Sequence, residues 1–116
     1  MSDILKVAMA MYSKEKESVD DSVAKDIQIW ASECAMRGIG TSSILLNGVW
    51  EREEQRARKL CRYFSENAIQ LALRQNKTLA NETVEAIRKN AEDVIDSELG
   101  QTKATILDWA RRSMPG

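Results

Sequence analysis

The chemically densest stretch of the chain is Trp50–Phe64, WEREEQRARKLCRYF, which sets five basic and three acidic side chains between aromatic ends. Three chemistries could use it: phosphate binding by Arg52, Arg56, Lys59 and Arg62, metal holding by the carboxylates, or simple solvation of one side of a helix. At 100° per residue those four basic side chains fall opposite an apolar face, where the acids are interleaved with them. Glu54 precedes Arg58 by four residues and Glu53 precedes Arg56 by three, both favourable helical pairings of a few tenths of a kcal/mol. Phosphate affinity comes from net counterion release and needs a more one-sided basic patch, so mixed charge reads as a wet helix face. Glu53 is the exception, because the wheel puts it inside the apolar stripe between Trp50 and Ala57. A buried lone carboxylate is costly. Glu53 is therefore expected at the stripe's margin, or paired with a basic residue of a second chain to fix register.

Other constellations are thin. The chain has no histidine, which removes Ser-His and Cys-His nucleophile pairs and the usual zinc sites. Cys34 and Cys61 each sit in an apolar stripe and read as core residues with reduced thiols. The Gly38-Ile39-Gly40 triplet lacks P-loop spacing and follows no strand. No cofactor is expected. Glu51-x-x-Glu54, Glu82-x-x-Glu85 and Asp93-x-x-Asp96 are similar in type to the carboxylate pairs by which all-helical MazG-like nucleotide pyrophosphohydrolases hold magnesium. They depart from that pattern, since Asp93-x-x-Asp96 replaces Glu-x-x-Asp and Glu85, Asp93 and Asp96 point away from the core stripe; membership is not claimed. A helix-turn-helix reading of Cys34–Ile44 has the right small residue, glycine and serine-rich restart. Its second helix opens TSSILLNGVW, however, with only Asn47 suited to reading base edges.

The elements that position these residues are helices. One proline, Pro115, and five glycines in 116 residues leave little punctuation for short strands. The fold class expected is all-α: one domain, residues 1–116, a bundle of about five helices with one long central helix. The first spans about Asp3–Tyr12, capped by Ser2 and apolar on nearly every side; SKEKES then reads as a connection. The second runs from about Asp20 to Arg37, with Val23, Ile27, Trp30, Ala31 and Cys34 in one stripe and Gly38 as its stop. Thr41, Ser42 or Ser43 can cap the third, which has no strong stop before Asn76–Thr78. Gly48 is its one weak point, costing about 1 kcal/mol relative to alanine. The fourth, about Asn81–Leu99, is expected to end at Gly100 after a stripe of Val84, Ile87, Ala91, Val94, Ile95 and Leu99. The fifth, about Thr102–Ser113, buries Ile106, Leu107, Trp109 and Ala110.

Unbroken, the third helix would be roughly 50 Å long at 1.5 Å per residue. A compact domain of this size has a radius of gyration of about 13–14 Å. Either Gly48 bends the helix or its overhang packs on another chain, and the second is favoured. Net charge is −1, divided as −3 over residues 1–36, +4 over 37–77 and −2 over 78–116. That balance points away from nucleic acid and from membranes. The N-terminus is a poor signal peptide, and no apolar run approaches a bilayer span, so a cytoplasmic location is expected. The preferred function is non-catalytic: helix packing against a protein partner, first of all in a homodimer, with Met9, Met11, Tyr12, Leu46, Trp50 and Glu53 as interface candidates. A nucleic-acid-binding regulator using Arg52, Arg56, Lys59 and Arg62 is the alternative, and a magnesium-dependent pyrophosphohydrolase the second.

Overall fold

The computed structural model describes residues 2–40, 42–75 and 80–113, and all of it is built on three helices. These are α1 (Ser2–Met36), α2 (Ser43–Gln75) and α3 (Asn81–Ser113). The all-α class stands, and five helices become three. SKEKES continues α1 without a break, and Gly100 lies inside α3 rather than at its end. Gly48 likewise leaves α2 continuous. The long α2 does not overhang its neighbours, because α1 and α3 match it in length. The molecule is a rod of 57 × 22 × 17 Å with a radius of gyration of 17.7 Å. Overhang therefore gives no reason for a second chain, and any such reason must come from the lateral faces.

Inward positions explain why the chain folds this way. In α1 they are Ala8, Tyr12, Lys16, Val19, Val23, Ile27, Trp30 and Cys34; in α3 they are Thr83, Ile87, Ala91, Val94, Glu98, Thr102, Thr105, Trp109 and Ser113. Both follow steps of four, four and three, an eleven-residue repeat of about 3.67 residues per turn, which keeps a seam nearly straight along its helix. Tyr12 meets Phe64, Asp20 meets Arg56, Asp26 meets Arg52 and Trp30 meets Leu45, so α1 and α2 run antiparallel in one register over most of their length. Arg56 meets Glu98 in turn, and α3 lies alongside α2 and reaches α1 through long side chains.

The turn between α1 and α2 is built by Gly38, whose φ of 74° suits glycine. Ile39 N–H donates to the Cys34 carbonyl and Gly38 N–H to that of Ala35, the two bonds of a Schellman cap. The Ser42 hydroxyl donates to the Ile39 carbonyl at 2.6 Å and closes the turn. The caps assigned to the Ser2 side chain and to Thr41, and the stop at residues 76–78, lie outside the described residues. Because α1 and α2 then pack antiparallel, the turn does not produce the steep crossing of a helix-turn-helix.

Gly100 does no comparable work. A Cβ there would meet nothing within 4 Å, and its φ is not positive. Gly100→Ala is expected to raise stability by about 0.5–1 kcal/mol, the difference in helix propensity. Urea unfolding would read it, and no gain would mean that α3 is not a settled helix at this point.

Candidate functional site

Two features stand out laterally: an ionic cluster in the middle of the rod and an apolar groove on its surface. The cluster draws on all three helices. Glu98 is fully buried and Arg56 is 2% exposed. Glu98 Oε1 accepts from Arg56 Nη1 at 2.7 Å and from Lys16 Nζ at 2.9 Å, while Oε2 accepts from the Tyr12 hydroxyl. Arg56 also donates through Nε to Glu53 Oε2 and through Nη1 to Asp20 Oδ1, both at 3.0 Å, and its Nη2 reaches the Thr102 hydroxyl. Lys16 bridges onward to Asp20 and Gln101.

Electrostatics follow from this wiring. Burial alone would push the Glu98 carboxyl up, but hydrogen bonds from Tyr12, Arg56 and Lys16 outweigh it and hold the acid below its ordinary range. Burial also opposes the charge on Arg56 and is outweighed by Glu98 and Glu53, so the guanidinium holds its proton more tightly than usual. Burial and the neighbouring Glu98 push the Tyr12 phenol well up. Glu98 is ionised more readily folded than unfolded. Its contribution is therefore present at neutral pH and is lost only as pH falls through its lowered pKa. These groups are committed to one another, which suits a structural clasp better than a reaction centre. Glu53 Oε1 is the one cluster oxygen that is buried and finds no partner among the described residues.

The sequence-derived sites are redistributed by this geometry. Tyr12 and Glu53 are buried within the chain, and Glu53 pairs with Arg56 three residues on. The expectation of a marginal Glu53 is thus corrected. Arg56 does not face water with the other basic residues; the wheel missed it because the helix is enclosed on two flanks. Arg52 lies over the Trp30 ring, 4.8 Å from its centroid, and near Asp26 at 3.2 Å. Lys59 and Arg62 alone of the four stay exposed, so the basic face does not assemble. Met9 and Met11 are half-buried, Met9 against the core. The apolar residues of α2 divide: Leu60 and Phe64 are fully buried, Leu46 is intermediate and Trp50 is 49% exposed.

Nor do the carboxylate pairs converge. Glu51 and Glu54 lie towards the start of α2, whereas Glu82 and Glu85 open α3 beside the far end of α2. Among the described residues no three His, Cys, Asp or Glu side chains come together as a metal site would need.

Trp50 instead borders a groove between α2 and α3. Ala57 and Cys61 of α2 and Ile95, Leu99 and Thr102 of α3 complete a cavity of about 510 Å³, with Glu54, Arg58 and Arg62 at its edge. Leu99 is 59% exposed. The single α3 stripe expected from the sequence is split, with Ile95 and Leu99 exposed and Ile87 and Val94 buried. In fact α3 carries two stripes, and only the second faces α2 and the core. The Cys61 thiol beside this groove is pushed up by burial and by Glu98, which disfavours the thiolate. Both cysteines are free.

No protein-family model matches this chain, and no curated protein or solved structure is similar to it. Among the described residues no helix is long and apolar enough to cross a membrane.

Proposed function

We propose that this is a non-catalytic cytoplasmic protein that works by helix packing, and that its first partner is a second copy of itself. The observation that carries the reading is the α2–α3 groove, where Trp50 and Leu99 leave about half of their surface in water beside Ile95 and Cys61. Continuous apolar surface of this kind is characteristic of sites that another protein covers, and a half-exposed tryptophan is the residue type that most often dominates such contacts. A fourth helix laid in the groove would meet anchors at successive turns on both walls. The ionic cluster supports the reading by holding α2 and α3 in fixed register, so the groove is preformed.

The test is absolute molar mass by light scattering after size exclusion, at low and moderate salt. A dimer is expected at both, because burial of apolar surface is not screened. Trp50→Glu should turn it into a folded monomer. A wild-type chain that stays monomeric at all concentrations would overturn self-association. A dimer untouched by Trp50→Glu would move the contact away from this groove.

A further inference from the structure

We infer that the second copy docks about a two-fold axis parallel to the helices, so that α2 of each copy lies along α3 of the other and the groove's rims interlock by charge. This geometry rests on the self-association proposed above. Register within one chain is set to within a turn by Arg56, whose guanidinium bonds Glu98 and, four residues on, Thr102; heights are counted from Glu98, its shortest bond. Because α2 and α3 are antiparallel, each step forward along α2 is a step back along α3. Arg58 is thus level with Asp96, Arg62 with Glu92, and Glu51 with Lys103. All six are exposed and lie on the outer edges of the two groove walls. Arg58 reaches only Glu54 of its own helix; the other five form no ion pair among the described residues.

An axis parallel to the helices keeps every residue at its own height while setting α2 on the partner copy's α3. Each rim residue then meets the one level with it: Arg58 with Asp96, Arg62 with Glu92, Glu51 with Lys103, each pair made twice. All three are opposite in sign. The order of signs along the seam also matters, since α2 reads acidic, basic, basic where α3 reads basic, acidic, acidic, and a slide along the seam spoils the match. Trp50, Ile95 and Leu99 lie between the rims and become the apolar centre of a four-helix contact. An axis across the helices would set α2 on α2 and α3 on α3. It would leave Arg62 and Glu92 without each other, whichever height it crossed.

Two double variants test this geometry: Arg58→Glu with Arg62→Glu, and Glu92→Arg with Asp96→Arg. All four positions are on the surface, and helical content by circular dichroism checks that each variant folds. Alone, each variant puts like charges along both seams and should weaken the dimer by about tenfold or more, read by sedimentation over a concentration series. Mixed in equal amounts, the two should form a heterodimer within about twofold of wild-type affinity, because every seam pair is again opposite in sign. A wild-type dimer that neither variant weakens, or that both weaken with no recovery on mixing, would overturn this geometry and leave self-association standing. A wild-type monomer would overturn both.

Discussion

Arg56→Met is expected to lower the unfolding free energy by about 3–5 kcal/mol, enough to leave a bundle of this size partly unfolded at room temperature. Arg56 is the only group that touches Glu53, Asp20, Glu98 and Thr102 together. Methionine fills a similar volume but leaves Glu98 with Tyr12 and Lys16 alone, and leaves Glu53 with neither oxygen bonded. The loss would thus come from a stranded Glu53 and a fully buried Glu98 short of one cation rather than from the absence of attraction as such. A quadruple variant, Tyr12→Phe, Glu53→Leu, Arg56→Met and Glu98→Leu, should recover most of it, since removing the buried part of an ion cluster together with its hydroxyl partner is often neutral or better. Urea unfolding of the single and quadruple variants would decide between the two. A single-variant loss below about 1 kcal/mol would mean that the cluster is as weak as a surface ion pair.

Gly48→Ala is expected to cost about 2 kcal/mol, against the usual rule for helices. Alanine at an open mid-helix position gains about 1 kcal/mol. Here the new Cβ would overlap Trp30 Nε1 and two further atoms of the indole ring. The indole would have to move, and it is held by a 3.1 Å hydrogen bond to the Leu45 carbonyl and by Arg52 stacked on its face. Overpacking costs about 1–3 kcal/mol, and a lost indole bond adds about 1 kcal/mol. The steric term wins over propensity. Urea unfolding would show it, together with a change in tryptophan fluorescence. A gain at Gly48 equal to that expected at Gly100 would mean that Trp30 does not rest there.

These two glycines also show what could be read from sequence. The all-helical class was legible, because scarce proline and glycine and long runs of helical periodicity leave no other choice. So was the Gly38 turn, whose stripe, glycine and serine pattern is local. Element count was not, and the cause is one physical fact. The bundle's polar layer falls at one height in all three helices, at Lys16 and Asp20, at Glu53 and Arg56, and at Glu98 and Thr102. Each helix therefore looks interrupted at the same level. In α1 the interruption reads as a connection, in α3 as a stop at Gly100, and in α2 as a misplaced Glu53. Each stretch is polar because it faces the other two, and no single helix reveals that. The groove was half legible: Trp50 stood out, but Ile95 and Leu99 could be told from Ile87 and Val94 only once α3 had a neighbour.

The same polar layer splits the apolar interior into two half-cores. Ile4, Ala8, Tyr12, Leu60, Phe64, Ala68, Ala72 and Ile87 are gathered on one side with Val19 and Val94, and Ile27, Cys34, Leu45 and Val49 on the other, with half-buried Val23 touching both. The two are unequal, and the smaller is the one that holds Trp30 and the Gly38 turn. Fluctuations that open one end of the rod need not open the other, so amide exchange should report two cooperative units of different depth, joined at Arg56. The chain would then loosen at the turn end first, while the end built on Phe64 keeps its shape.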